Sequence, residues 1–169
     1  MSADEWVEFY NRSDITVDLT GWTLTRLSDG QDLIMLVFDE TSIAPGQTFL
    51  ISNYPANHDK SRLAAQPQLV TTSISLPNNK LLLRLFDGDP HLGGRLMDIA
   101  DDGLGSPFAG SNSLKQSMVR IAFDSVGDQS VNWTTATVHS GWDVGATELG
   151  TPGSLPPYLL QKNKNTGRT

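Results

Sequence analysis

Short runs of alternating apolar and polar residues, separated by turn residues, make up most of this chain. The first run, at residues 6–10, is rich in aromatic and β-branched side chains, and the polar residues 11–14 after it favour a turn. Residues 15–19 send Ile, Val and Leu to one face and Thr and Asp to the other, and residues 22–25 alternate again after Thr20-Gly21. We therefore predict three short strands and two turns within residues 6–25.

The same pattern continues towards the end of the chain. Turn signals such as Pro45-Gly46 and Asp87-Gly88 separate the runs, because Pro presets φ and Gly accepts positive φ. The predicted strands lie at residues 33–38, 48–52, 69–75, 80–86, 96–100 and 117–123, with shorter extended pieces at 131–135 and around Trp142. Strands that recur at about eight to twelve residues predict an all-β sandwich or barrel.

Two connections between these strands carry more specific predictions. Residues 69–75 and 80–86 flank the turn signal Pro77-Asn78-Asn79, so we predict that they form a hairpin. Residues 53–68 contain two prolines and no regular period, so we predict a loop, with room for one helical turn at residues 59–65.

The length of 169 residues fits a single domain with one hydrophobic core. We assign residues 1–155 to the β-sandwich and residues 156–169, which end polar and cationic, to a flexible tail or linker stub. The chain has no cysteine, which excludes disulfides and thiolate metal sites.

The charge of the chain limits its partners. The formal net charge is −7 and no dense Lys/Arg run occurs, so strong nucleic-acid binding is not expected. A run of about eighteen apolar residues, the mark of a membrane span, is missing from the sequence, and so is a signal peptide pattern. The sequence therefore leaves the cellular location undetermined.

One group of carboxylates is dense enough to suggest a metal. It consists of Asp87, Asp89, Asp98, Asp101 and Asp102. Calcium prefers six to eight oxygen ligands, so a metal-assisted hydrolase built on this group is one hypothesis. The spacing does not match a helix-loop-helix calcium loop, and two Asp-Gly pairs indicate turn formation instead. We therefore assign no metal and keep the five aspartates only as candidates.

Other residues suggest binding or catalysis less directly. Trp133 and Trp142 lie among turn residues and are candidates for contact with a ligand or partner, with core packing as the alternative. Glu8 is an acid within an apolar strand, which fits either a poised acid or the outer face of an edge strand. The three histidines show no HExxH spacing, and no GxSxG sequence marks an activated serine. We assign no catalytic residue and no cofactor, and we do not predict an enzyme.

Two motifs stand near the start of the chain, EWVEFYN at residues 5–11 and DLTGWTL at residues 18–24. They resemble motifs that are common in the lamin tail domain family. The resemblance continues through Ile43-Ala44-Pro45-Gly46, Leu76-Pro77-Asn78-Asn79, Asp98-Ile99-Ala100-Asp101, Asn132-Trp133 and Leu149-Gly150-Thr151-Pro152-Gly153. It covers about residues 4–156, so it extends over nearly the whole chain.

The resemblance implies an immunoglobulin-like β-sandwich of short, mostly antiparallel strands that acts as a non-catalytic docking module. In nuclear lamins this domain is associated with chromatin and nuclear-envelope partners, behind a coiled-coil rod that this chain lacks. In bacteria and archaea it is typically attached to surface or secreted proteins, including nucleases and other hydrolases. Because the GTPG at residues 150–153 resembles those sequences, we expect the prokaryotic type, an unidentified protein partner and an extracellular or cell-surface location. A structural spacer is the alternative.

The chain departs from the family at its start. Relatives usually place a strand of the type INEI or VNEI ahead of the EW, whereas only residues 1–4 precede Glu5 here. Without that strand, the neighbouring strand has a row of unpaired N–H and C=O groups. We expect either that Met1 is an artificial or misassigned start, or that self-association covers the exposed edge.

Overall fold

The computed structural model describes residues 5–159, and in that part of the chain eleven strands form. They are β1 (Trp6–Tyr10), β2 (Val17–Asp18), β3 (Thr23–Ser28), β4 (Gln31–Val37), β5 (Ser42–Ile43), β6 (Thr48–Ser52), β7 (Leu69–Val70), β8 (Leu83–Phe86), β9 (Leu96–Ala100), β10 (Met118–Arg120) and β11 (Trp133–Thr135). Two short 3₁₀ helices lie at Pro90–Leu92 and Ser130–Asn132.

The strands form a β-sandwich. One sheet has the order β1-β6-β7 and the other the order β4-β3-β8-β9, while β2-β5 and β10-β11 form two small pairs. Apolar side chains from both sheets form the main core between them, among them Leu24 and Leu85 from one sheet and Ile51 from the other. The immunoglobulin-like all-β fold expected from the sequence is therefore confirmed.

Local turn chemistry explains the hairpin between β3 and β4. Ser28 pairs with Gln31, so the connection is the two residues Asp29-Gly30, which have φ values of 50° and 77°. Positive φ at both central residues defines the type I′ turn, whose twist matches that of the flanking strands. The opening strands of the sequence prediction are confirmed only in part, since within residues 15–19 the strand is limited to Val17–Asp18.

The hairpin predicted for residues 69–75 and 80–86 is wrong. Leu69 and Val70 pair in parallel with Ile51 and Ser52 of β6, and Leu83–Phe86 pairs with β3 and β9 in the other sheet. Alternation determines which face of a strand is buried, but it does not determine which strand lies alongside. A parallel pair needs a long connection, and residues 53–68 supply it.

That long connection has no helix at residues 59–65. Leu63 is instead fully buried and forms an isolated bridge with Trp142, which belongs to a second apolar cluster with Ala56. The ring of Trp6 on β1 packs edge-on against Trp142 at a centroid distance of 6.0 Å. The later part of the chain therefore covers the face of the β1 sheet that points away from the main core.

The described part of the chain ends in a packed position. Leu159 is 2% exposed, and its N–H donates to the carbonyl of Pro156. The remainder of the predicted tail, residues 160–169, lies outside the described residues. The division into residues 1–155 and 156–169 stays a prediction.

Candidate interaction cleft

One edge of strand β1 has main-chain N–H and C=O groups that could pair with another strand. Among the strands of the described chain, β1 pairs only with β6. The flanking hydrogen bonds from Asn53 N–H to Glu5 C=O and from Asn11 N–H to Gln47 C=O show which β1 residues face β6. By the alternation of an antiparallel pair, the main-chain groups of Trp6 and Glu8 point away from β6. Within residues 5–159 these outward groups make no hydrogen bond. Such an edge is a template for another strand.

A cleft of about 1220 Å³ lies beside this edge. Residues of β1, β8, β9 and β10 line it, and β9 is likewise the outermost strand of its sheet. Its apolar lining includes Val7, Phe9, Leu83, Leu85, Met97 and Met118. The volume is above the roughly 300–1,000 Å³ of small-molecule pockets, so the cleft has room for a peptide segment.

The basic side chains that line the cleft all have a carboxylate partner. Arg84 contacts Asp32 at 2.7 Å, Lys115 contacts Glu148 at 3.1 Å and Arg120 contacts Asp98 at 2.6 Å. Arg12 forms an ion pair with Asp124. These cations are therefore already neutralised.

Two carboxylates that line the cleft are different. Within the described residues, neither Glu5 nor Glu8 has a basic side chain within 4.0 Å. Glu5 accepts a hydrogen bond from Leu76 N–H at 3.0 Å, and Glu8 accepts one from Gly153 N–H at 2.9 Å. The cleft thus has two acidic groups that only uncharged donors satisfy.

Glu8 has a strongly raised pKa. Burial raises its pKa from 4.5 to about 7, although hydrogen bonds from the Thr48 hydroxyl and the Gly153 N–H lower it in part. By strand alternation its side chain shares a face with Trp6, opposite to Val7 and Phe9, which pack on the main core. Its place on the outer face of an edge strand is one of the two alternatives that the sequence left open.

The five aspartates proposed as metal candidates each form hydrogen bonds or ion pairs with other groups of the domain. Asp87 accepts from Arg95 N–H and pairs with its guanidinium, Asp98 pairs with Arg120, and Asp89 accepts from His91 N–H. Asp101 is fully buried, accepts from the N–H groups of Asp102 and Phe108, and has a pKa that burial raises. Asp102 accepts from Leu104 N–H.

These contacts are those of turns and ion pairs. In the part of the chain that the structure describes, no three His, Cys, Asp or Glu side chains come together in a way that would hold a metal ion. The hydrolase hypothesis therefore has no assembled site among these residues.

The two tryptophan candidates occupy different surroundings. Trp142 is 9% exposed, packs against Trp6, and donates from its indole N–H to the Gly150 carbonyl at 3.1 Å, which is the environment of a core aromatic. Trp133 is partly buried, lines the cleft, and has the Arg120 guanidinium 5.6 Å from its ring centroid. Of the two, Trp133 has the more exposed side chain.

Sequence reasoning did not find the cleft itself. One side of the cleft is formed by β1 and the other by β9 and β10, which lie about 90 and 110 residues later in the sequence. One signal was visible, namely an acid within the apolar strand at residues 6–10.

Comparison with known families agrees with the motifs in the sequence. A sequence model described as Lamin Tail Domain matches residues 1–96. Neither the curated proteins nor the solved structures give a match. Among residues 5–159, no helix has the length and apolar character needed to cross a membrane. Since the family model covers more than half of the 169 residues, this chain belongs to the lamin tail domain family.

Proposed function

We propose that this domain is a non-catalytic interaction module that docks an extended segment of a protein partner along the open edge of β1. The observation that carries the proposal is that the outward main-chain groups of Trp6 and Glu8 have no hydrogen-bond partner within residues 5–159 and lie beside an apolar cleft of about 1220 Å³. Addition of a strand to an exposed sheet edge is a common mode of peptide recognition, since main-chain bonds give affinity and side-chain pockets give specificity.

The side chains that line the cleft are suited to a partner segment in an extended conformation. A strand paired with β1 places every second side chain towards Val7 and Phe9, where apolar residues line the cleft. The intervening side chains fall on the face that carries Trp6 and Glu8. The preferred segment therefore alternates apolar and polar residues over about five to six positions.

We propose further that the module belongs to a surface, secreted or multidomain protein. The support is the resemblance of its motifs to prokaryotic members of the family, and an identified neighbouring catalytic domain or anchor in the full reading frame would test it. Self-association through the same β1 edge, expected from the sequence, is the alternative to a separate partner, and light scattering at high concentration tests it.

Hydrogen exchange at β1 tests the docking mode directly. We expect an acetylated peptide that alternates Val and Thr to slow exchange at the Trp6 and Glu8 amides, because these N–H groups point away from β6. The Val7 and Phe9 amides already face β6 and serve as an internal control. A peptide with Pro at every second position lacks the donors for pairing and is expected not to protect them.

A variant that fills the cleft supplies the matched control on the protein. Met97 lines the cleft and is 46% exposed, so Met97→Trp is expected to weaken peptide binding without unfolding the domain. Leu92→Trp, at a position 87% exposed and outside the lining, is expected to leave binding unchanged. Equal exchange at Trp6 and Glu8 with and without peptide would show that the edge is not a docking site.

A further inference from the structure

We propose that the segment docked in the cleft carries a Lys or Arg side chain beside Glu8. This inference rests on the proposed function and names the chemistry of the partner. It follows from the charges that line the cleft and from the position of Glu8 on β1. It follows also from the repulsion between two Glu8 carboxylates that pairing with a second copy of the chain would create.

The charges that line the cleft favour a partner segment with a positive charge. Its four basic side chains are each engaged by a carboxylate, whereas Glu5 and Glu8 have only uncharged donors within the described residues. An acidic partner segment would add to two uncompensated carboxylates, and a basic one would pair with them. Complementarity of this kind favours specificity and the rate of association.

The geometry of strand pairing determines where that cation lies. In an added antiparallel strand, the residue opposite Glu8 has its Cβ about 4.5–5.5 Å from that of Glu8, with both side chains on the same face. A Lys or Arg at that position reaches the Glu8 carboxylate, while its neighbours along the strand point towards Val7 and Phe9.

The surroundings of Glu8 support a cation from outside the described chain. The groups that face it are the Thr48 hydroxyl from β6 and the Gly153 N–H from the later segment. On the other side of the cleft, Arg120 of β10 and Asp98 of β9 already form an ion pair with each other at 2.6 Å. Burial without a cation raises the Glu8 pKa to about 7, and a docked cation is expected to lower it.

A second copy of this chain does not meet these requirements. Glu8 is the middle residue of β1, so a symmetric antiparallel pairing of β1 with β1 of another copy places the two Glu8 carboxylates opposite each other. Like charges directly opposite each other destabilise strand pairs, and each copy has a formal net charge of −7. A basic segment of a different protein avoids both penalties.

The test compares two peptides that alternate Val and Thr and differ only at the central polar position, which is Lys in one and Gln in the other. For the unaltered chain we expect the Lys peptide to bind roughly tenfold more tightly at pH 8 and about twofold more tightly at pH 6, because Glu8 becomes protonated in that interval. An Arg peptide is expected to behave as the Lys peptide does.

Substitution of Glu8 identifies the group responsible. Glu8→Gln keeps an oxygen acceptor for the Gly153 N–H, and it is expected to bind both peptides equally at both pH values. Glu40→Gln removes one negative charge at an exposed position outside the cleft, and it is expected to keep the preference for Lys. Thermal melts of both variants check that they remain folded.

The possible outcomes separate the two proposals. Equal affinity of the unaltered chain for both peptides, with protection of the Trp6 and Glu8 amides, would overturn the cation inference and leave the docking proposal intact. No binding and no protection would overturn both. If peptides bind only after removal of residues 160–169, which contain Lys162, Lys164 and Arg168, the occupant is the tail of this chain and the partner inference is wrong.

Discussion

At the scale of single residues, Glu8 combines two roles that are normally separate. Its carboxylate accepts the Gly153 N–H and so links β1 to a segment 145 positions later in the chain. Its burial makes the charged form unfavourable. A residue with this conflict is a source of pH dependence in stability as well as in binding.

The sign of that dependence follows from the raised pKa. Between pH 4.5 and about pH 7 the folded chain keeps the Glu8 proton and the unfolded chain loses it, so the free energy of unfolding falls as the pH rises and levels off above pH 7. The full effect is at most about 3 kcal/mol. We predict that Glu8→Gln melts up to roughly 6–12 °C higher than the unaltered chain at pH 8, and at nearly the same temperature at pH 5.

Melting curves of the two proteins at both pH values measure this difference. The comparison with the variant isolates Glu8 from other carboxyls such as Asp101, whose pKa is also raised and which is present in both proteins. A lower melting temperature for Glu8→Gln at pH 8 would mean that the hydrogen bonds from Thr48 and Gly153 outweigh the cost of burying the charge.

At the scale of elements, the later part of the chain is attached to the β1 sheet at several separate points. Trp142 packs on Trp6, Tyr10 lies 5.5 Å from Phe123 between ring centroids, and Gly153 bonds Glu8. These contacts lie along the length of β1. They attach residues 123–153, which follow β10, to the β1 sheet.

The Trp142 contact is expected to dominate this attachment. We predict that Trp142→Ala lowers the free energy of unfolding by about 3–5 kcal/mol, because it removes a buried aromatic ring from the cluster with Leu63 and Ala56. Trp133→Ala removes a partly buried ring and one indole hydrogen bond to Gly127, and is expected to cost only about 1–2 kcal/mol.

Urea denaturation followed by circular dichroism measures both variants on the same scale. Equal losses for Trp142→Ala and Trp133→Ala would contradict the assignment of Trp142 to the buried cluster. A substitution that lowers the slope of the urea transition without changing its midpoint would instead indicate that the later segment unfolds separately.

At the scale of the whole molecule, the charge distribution bears on the choice of partner. The net charge of −7 sets a repulsive field towards polyanions, and the basic side chains at the cleft are paired with carboxylates. Association with chromatin, which the family resemblance suggests for nuclear relatives, therefore has little electrostatic support in this chain.

We predict that duplex DNA binds this chain weakly and that the binding disappears as salt is raised to physiological ionic strength. Fluorescence anisotropy should be measured with the full chain and with a chain ended at Leu159, since Leu159 is buried and residues 160–169 carry three cations. Submicromolar affinity in the shortened chain at physiological salt would reveal a basic surface on the folded domain.

The sequence by itself determined the fold class and most of the strands. Runs rich in apolar side chains at residues 6–10, 48–52 and 96–100 predict strands, and the turn residues between such runs limit strand length. These signals are local, because they depend on side chains within a few positions of one another. The Asp29-Gly30 turn and the family motifs belong to the same class of information.

Only the tertiary structure decided which strands lie side by side. The parallel pair of β6 and β7, the division of residues 69–75 and 80–86 between two sheets, and the cleft beside β1 all depend on contacts between distant segments. The pKa of Glu8 depends on them as well, since burial and the Gly153 N–H both come from residues far away in the sequence. Alternation records which face of a strand is buried, but the partner at its edge is chosen by packing of the whole domain.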